Sequence, residues 1–243
     1  MRNLLLSILF LFVCSTTRAQ MFVEIGLKGG AGVSMLINEN TLQDNRINKT
    51  PSYAYSYGAK FGIDFNERFA IIGEYMMGQI NQNNDYNNTS SVNIKRNIQI
   101  NAVSIPILFR YNSDQGSYLE VGPRLGYTKK VTQSGSSTSD ISDKFENNTY
   151  GAILGFGTVL FATDNIYSTL GIRFDTGVTD MISLAGGKNT TTYYPMDNGD
   201  LVTNYQKYAA TFPVSVQLML ELNWDLGYFA QSKCKKRAGF IMF

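Results

Sequence analysis

Three acidic residues, Asp64, Glu74 and Glu221, are candidates for acid–base chemistry, because paired carboxylates can act as general acid and general base. No metal-ligand spacing accompanies them. The 243-residue sequence contains no histidine, which excludes a His-based triad, a His-ligated zinc site and a His proton shuttle. Its two cysteines also exclude a Cys₄ zinc or iron–sulfur site. We therefore predict no catalytic residue, no metal site and no cofactor, and we expect that the protein is not an enzyme.

Two glycine motifs could be taken for phosphate-binding loops. They are Gly26-x-x-Gly29-Gly30 and Gly151-x-x-x-Gly155-x-Gly157. Neither leads from a strand into a helix and no Gly-Lys-Ser/Thr follows, so both are interpreted as glycines within strands. The net charge of +2 is too close to balance to favour nucleic acid as a partner. Charged residues make up only 16% of the chain, against roughly 25% in a typical soluble domain.

Residues 1–19 are predicted to be a secretory signal peptide. A short positive segment precedes an apolar run at 4–13, and Thr17 and Ala19 occupy the −3 and −1 positions of a cleavage site. The apolar run has about ten residues, whereas a membrane-spanning helix needs roughly 20, which disfavours a membrane anchor. A lipoprotein modified at Cys14 is the other alternative, although a bulky valine precedes that cysteine.

After residue 20 the sequence alternates with a period of two, which predicts β-strands that are apolar on one face. From Ile25 to Met35 every second residue is apolar or glycine, and the residues between them are charged, glycine or serine. Eight segments of this kind occur, near residues 24–35, 53–65, 69–77, 102–111, 118–127, 151–160, 169–178 and 214–226. No stretch approaches 18 consecutive apolar residues, so no transmembrane helix is predicted.

The connections between the predicted strands alternate between short and long. Short turns lie around Asn66, 112–116 and 163–165, whereas the long polar connections cover 37–52, 79–97, 129–149 and 180–206. This asymmetry is typical of outer-membrane barrels. We predict that residues 20–228 form an all-β, eight-stranded antiparallel up-and-down transmembrane β-barrel, with short periplasmic turns and long extracellular loops.

The second face of the predicted strands combines glycine with balanced charge. Its charged members are Glu24, Lys28, Lys60, Asp64, Glu74, Arg110, Glu120, Arg124, Arg173, Asp175 and Glu221. The interior of an eight-stranded barrel is just wide enough for side chains to fill. These five bases and six acids would be costly in lipid, so we predict that they form a charge network in the barrel interior. Glu120 and Arg124 are expected to form an ion pair.

Several segments resemble the PorT-family outer-membrane β-barrel domain of Bacteroidetes-type bacteria. They are Glu24–Gly30, Gly73–Tyr75, Ser104–Tyr111, Tyr118–Tyr127 and Gly171–Gly177. The resemblance covers most of residues 22–226, and its most specific part is the proline-containing strand followed by Leu-Glu-Val-Gly-Pro. It implies an eight-stranded barrel in the outer membrane of a Gram-negative bacterium, in a family whose namesake belongs to a secretion system.

Residues 229–243 depart from that family pattern, because family members usually end at or near the last strand. This segment is predicted to be a basic C-terminal tail, with Lys233–Arg237 either a solvated charge run or a contact for phosphate headgroups or another protein. Cys234 is the one thiol left if the signal peptide is removed. The signal for barrel insertion is either the terminal Phe243 or the segment 224–229.

The sequence favours an outer-membrane barrel with a structural or protein-interaction role. The expected partners are outer-membrane lipid and periplasmic or outer-membrane proteins, without nucleic acid. A small pore or transporter is one alternative, although eight strands leave little lumen. The other is a soluble, secreted, lipocalin-like ligand-binding barrel, which would turn its apolar face inward.

Overall fold

The computed structural model describes residues 21–87, 93–135, 138–190 and 205–228. The predicted signal peptide and the predicted basic tail, with Cys14, Cys234 and Phe243, lie outside these residues. Within the described ranges no helix is both long enough and apolar enough to cross a membrane.

Nine strands and two short helices form the described part of the chain. The strands are β1 (Phe22–Asn38), β2 (Ile47–Asp64), β3 (Phe69–Asn87), β4 (Asn93–Asn112), β5 (Ser117–Ser134), β6 (Thr138–Asp140), β7 (Asn148–Ala162), β8 (Ile166–Gly177) and β9 (Thr211–Tyr228). Helix α1 covers Glu39–Gln43, and a single 3₁₀ turn covers Ser142–Lys144.

Eight of these strands close into a ring in which every pairing is antiparallel. The order around the ring is β1, β2, β3, β4, β5, β7, β8 and β9, and the pairing of β9 with β1 closes it. The three residues of β6 pair only with the end of β5. The predicted eight-stranded up-and-down barrel is therefore confirmed. Closure leaves no unpaired barrel edge, which a structure surrounded by lipid requires.

The strands extend further towards the long connections than the sequence predicts. The predicted loop at 79–97 is mostly strand, with Asn81 opposite Gln99 and Asn83 opposite Asn97 in the β3–β4 pairing. The predicted loops at 37–52 and 129–149 are shortened in the same way. The apolar–polar alternation ends before the strands do, because beyond the apolar band both faces of the sheet can be polar.

The two faces of the barrel have opposite chemistry. Large apolar side chains point outward; Leu27, Ile107 and Leu220 are each more than half exposed. Ten of the eleven charged residues of the predicted network are buried, and Asp175 is partly exposed. A soluble lipocalin-like barrel requires the reverse arrangement, so that alternative is wrong. The outer surface is an apolar band suited to lipid.

Loop residues fold into the end of the barrel that carries the long connections. There they build an apolar group, the mouth cluster, whose members are Leu36, Ile98, Ile100, Val131, Ile141, Phe145, Met181 and Ile182. Phe145 forms a bridge with Ile182, and the Glu146 N–H donates to Met181 O at 2.8 Å. These contacts join the connection between β5 and β7 to the connection between β8 and β9. Burial of these apolar side chains stabilises the packing of the loops against the barrel at this end.

Introducing a positive charge on the apolar band tests the orientation of the faces. Leu220→Arg should lower the free energy of unfolding in lipid vesicles by about 2–4 kcal/mol near the bilayer midplane. The matched Leu220→Met, which conserves volume, should cost less than about 1.5 kcal/mol. Urea unfolding followed by the fluorescence of Trp224, the single tryptophan, measures both. Equal tolerance of arginine and methionine would contradict the assignment of this face to lipid.

Candidate functional site

The ammonium group of Lys28 lies at the centre of the barrel interior. Its Nζ is 2.9 Å from Glu74 Oε1, 3.2 Å from Glu120 Oε1 and 2.6 Å from Glu221 Oε1. Oxygen atoms of these three carboxylates lie within 4.8 Å of one another, a spacing that could hold a hard cation such as Ca²⁺. Lys28 supplies the positive charge at this point and already contacts each of the three groups.

Two arginines link the same carboxylates in pairs. Arg173 Nη1 is 2.7 Å from Glu74 Oε2, and Arg173 Nη2 is 2.6 Å from Glu120 Oε1. Arg110 Nη2 is 2.8 Å from Glu120 Oε2 and 2.7 Å from Glu221 Oε1. A planar guanidinium fits this role because it can bridge two carboxylates with charge-assisted hydrogen bonds.

Lys60 and Glu24 complete the central group. Lys60 Nζ is 3.0 Å from Glu24 Oε1 and 3.1 Å from Glu221 Oε2, and the Tyr167 hydroxyl donates to Glu24 Oε2. The resulting core network holds four cations and four carboxylates: Lys28, Lys60, Arg110, Arg173, Glu24, Glu74, Glu120 and Glu221. Each of these residues is at most 5% exposed. Equal numbers of opposite charges let the network lie in a region of low dielectric constant, where an isolated charge is very costly.

Three ion pairs of the core network cross the lumen from wall to wall. In the ring order given above, β1 stands opposite β5, β3 opposite β8 and β4 opposite β9. Lys28–Glu120, Glu74–Arg173 and Arg110–Glu221 join these opposite strands, at 3.2, 2.7 and 2.7 Å respectively. The lumen is therefore filled by charged side chains at this level.

The other predicted network residues lie outside the core network. Arg124 pairs with Asp175 at 2.8 Å, and the side chain of Asp175 is 23% exposed. Asp64 is buried at the end of β2. The expected ion pair between Glu120 and Arg124 is wrong, because Glu120 is taken by Arg110, Arg173 and Lys28.

Glycine on the inner face makes these contacts possible. Gly155 on β7 lies between Glu120 on β5 and Arg173 on β8 in the strand register. A Cβ atom at Gly155 would lie 2.6 Å from both Cγ and Oε1 of Glu120. The two long side chains can therefore meet only because the residue between them has no side chain.

Two tyrosines of the interior were missing from the predicted set. The ring of Tyr118 lies 4.2 Å below the Arg110 guanidinium, a cation–π contact. Tyr167 hydrogen-bonds to Glu24. Both have the inward parity of their strands, so the alternation could have identified them. Tyr167 was missed because the predicted strand begins at 169, three residues after the observed start at Ile166.

Polar contacts also order the rim of long loops. The side chain of Asn38 caps α1 and donates from Nδ2 to Ala209 O at 2.7 Å. Asp44 forms an ion pair with Arg46 at 2.7 Å and accepts a hydrogen bond from the Tyr205 hydroxyl at 2.9 Å. Hydrogen bonds from the Arg46 side chain, opposed by burial, lower the pKa of Asp44 to about 2. This carboxylate therefore stays ionised at neutral pH. Its hydrogen bond with Tyr205 connects the loop between β1 and β2 to the loop between β8 and β9.

A sequence comparison identifies the same kind of barrel. The model of the outer membrane protein β-barrel domain family matches residues 17–183. The chain belongs to this family. In an outer membrane barrel the apolar band is the surface that contacts lipid. The match is to this broad family, and the resemblance to the PorT family stays a prediction.

Solved outer membrane barrels resemble the chain with low sequence identity. OprG from Pseudomonas aeruginosa is 10% identical with a TM-score of 0.41, over 86% of this chain and 96% of that one. Ail of Yersinia pestis, in complex with the heparin analogue sucrose octasulfate, is 11% identical with a TM-score of 0.40, over 83% and 99%. Neisserial surface protein A is 10% identical with a TM-score of 0.37, over 82% and 95%. No curated protein sequence gives a significant match.

Adding a single methyl group tests the role of glycine between the crossing side chains. Gly155→Ala should destabilise the barrel by about 1–3 kcal/mol, because the new Cβ forces Glu120 out of its position. Gly73→Ala is the matched control, because nothing lies within 4 Å of its Cβ position. It should be neutral or stabilise by up to about 1 kcal/mol. Urea unfolding in lipid measures both, and equal effects would contradict the proposed packing.

Proposed function

We propose that the protein is a non-catalytic outer-membrane barrel that forms no open pore and acts through protein contacts at its rim of long loops. The observation that carries this proposal is the core network, whose three lumen-crossing ion pairs occupy the cross-section of the barrel. An ion that passed this level would have to displace groups that are held by several charge-assisted contacts. The mouth cluster adds a second, apolar barrier above it.

The same contacts argue against catalysis in the interior. Glu74, Glu120 and Glu221 are the carboxylates that could do acid–base work, yet each is paired with at least two cations. A carboxylate held in its ionised form by two cations is a poor proton donor. Their role in this proposal is structural.

The proposed orientation follows from the even number of strands. Phe22 begins the first strand and Tyr228 ends the last, and the two residues pair with each other at the rim that carries the short turns. Export by the predicted signal peptide in a Gram-negative bacterium would leave both ends on the periplasmic side. The long loops then face the outside of the cell, as in other barrels of this kind.

The rim offers an ordered surface for a partner. The α1 helix, β6, the 3₁₀ turn and the hydrogen bonds around Asp44 give the described parts of the long loops a defined shape. Leu184 in this rim is 77% exposed, the most exposed of the large apolar side chains that the structure describes. An ordered surface loses little conformational entropy on binding.

A planar bilayer experiment tests whether the barrel conducts. The purified, folded protein should insert without producing discrete conductance steps, since the core network and the mouth cluster block the lumen. A porin with a wide lumen, added to the same bilayer, controls for sensitivity. Reproducible steps that appear with the folded protein and vanish after heat unfolding would overturn the proposal of a closed barrel.

Site-specific photo-crosslinking in intact cells tests the interaction role. A photoreactive residue at Leu184 should give discrete crosslinked products with other envelope proteins. The matched control is Gln115, which is exposed in a short turn at the other end of the barrel. We expect products that are specific to Leu184. Absence of products at Leu184, or the same products from both positions, would count against a partner at the loop rim.

A further inference from the structure

A bulge interrupts the pairing of β4 with β5 near the rim of long loops. Asn101 lies opposite Lys130 and Ala102 lies opposite Thr128, so Lys129 is an extra residue on β5. A β-bulge changes the direction in which the side chains of one strand point. Here the extra residue is a lysine and the next residue along the strand is another.

The bulge lets both lysines face outward. Thr128 lines an internal cavity and Val131 belongs to the mouth cluster, so both of these side chains point into the barrel. In a regular strand a single outward residue separates two inward ones. Here two residues separate them, and Lys129 and Lys130 are both exposed. The outer wall of the barrel therefore carries two adjacent positive charges at one level.

These lysines lie directly beyond the apolar band. Leu125 and Tyr127 precede them on the outer face of β5, and Tyr150 lies opposite Leu125 on β7; all three side chains are exposed. Tyrosine is enriched where the hydrocarbon of a membrane meets the headgroups. A step of two residues along a strand covers about 7 Å. This step from Tyr127 brings Lys129 to the level of the headgroups, a layer roughly 5–8 Å thick on each side of the hydrocarbon.

The two lysines keep most of their charge for an external partner. Lys144 and Lys188, in the neighbouring loops, have carboxylate partners at 3.4 and 2.9 Å, whereas Lys129 and Lys130 form no ion pair within the described residues. Lys130 does lie near Asp140. That carboxylate already accepts hydrogen bonds from the hydroxyl and the N–H of Ser142, at 2.6 and 3.0 Å. Two cations beside one carboxylate leave a positive patch.

The opposite rim has the reverse charge. Its short turns contain the acids Glu67, Asp114 and Asp164, and their single base, Arg68, pairs with Asp114 at 2.8 Å. An anionic headgroup is therefore attracted to the wall beside the long loops and repelled from the rim of short turns.

We propose that Lys129, Lys130 and Asn101 bind a phosphate group of a lipid headgroup in the leaflet beside the long loops. The two ammonium groups supply charge and hydrogen-bond donors, and the amide of Asn101, which lies opposite Lys130, supplies another donor. The acyl chains of the same lipid then lie against the apolar band, past Tyr127 and Leu125. The identity of this leaflet as the outer one rests on the proposed orientation, whereas the site itself needs neither a closed lumen nor a partner at the rim.

Native mass spectrometry of the purified, folded protein in detergent tests this proposal with three probes. They are lipid A with both of its phosphates, phosphatidylcholine and inorganic phosphate. The double variant Lys129→Gln/Lys130→Gln should bind lipid A more than tenfold more weakly than the wild type, because each lysine near an anionic surface contributes about fivefold in affinity. Phosphatidylcholine should bind both proteins equally, since its choline group offsets the phosphate charge. Inorganic phosphate should bind far more weakly than lipid A, because it has no acyl chains to lie on the apolar band.

Two further double variants separate this site from general charge at the rim. Lys144→Gln/Lys188→Gln removes the same number of charges from the loops and should change lipid A affinity by less than twofold. Lys129→Arg/Lys130→Arg keeps both charges and should retain binding. The gel shift of the folded barrel shows which variants can be compared. If the double glutamine variant fails to fold, the single variants Lys129→Gln and Lys130→Gln, each expected to lose about fivefold, decide the question.

Three results would overturn the site. One is equal lipid A affinity of the wild type and the folded glutamine variants. Another is the same loss in Lys144→Gln/Lys188→Gln, which would mean that only the total charge of the rim matters. The third is inorganic phosphate binding as tightly as lipid A, which would indicate a site for a free anion. None of these results affects the planar bilayer or crosslinking experiments, so this inference can fail independently of the proposed function.

Discussion

The ion pairs that cross the lumen join residues that are 92, 99 and 111 positions apart in the chain. Each connects two opposite walls, so none can form until both halves of the ring are in place. Until then these charged side chains need water around them, since desolvation without a partner costs several kcal/mol per ion. The barrel is thus expected to close cooperatively, with the interior dehydrating as the last strands pair. Contacts so distant in sequence also imply slow folding.

The core network constrains which residues can lie next to it on the inner face. Charged side chains long enough to reach across the lumen need neighbouring positions without side chains, which explains Gly155 between Glu120 and Arg173. Neutrality of the network allows it to lie within a barrel that lipid surrounds. Most large apolar residues of the strands lie on the outer face, whereas Ile72, Leu108 and Ile153 form a small buried cluster inside. Inward charged positions and outward apolar positions therefore alternate along the strands.

The sequence allowed the strands and their faces to be predicted, because alternation with a period of two says which way a side chain points. It places Glu24 and Lys28 inside and Ile25 and Leu27 outside, as the structure has them. Alternation carries no information about which residues meet across the lumen. That depends on the tilt and stagger of the strands, and the expected pairing of Glu120 with Arg124 failed for this reason.

The ends of the strands were harder to predict than their faces. Around Asn81 and Asn83 both faces of the hairpin are polar, so the pattern that identifies a strand disappears although the backbone pairing continues. The mouth cluster was not predicted either. Ile141, Phe145, Met181 and Ile182 stand in polar loops, and only the folded ring shows that they turn into its interior.

Met181 belongs to two parts of the molecule at once. It packs in the mouth cluster with Ile141 and Phe145, and it also lines a cavity of about 90 Å³ whose wall includes Arg124 and Arg173. A displacement of this side chain from within must therefore change how the loops pack, and a change in loop packing must alter the cavity. The wall of the cavity and the packing of the loops therefore depend on one and the same side chain.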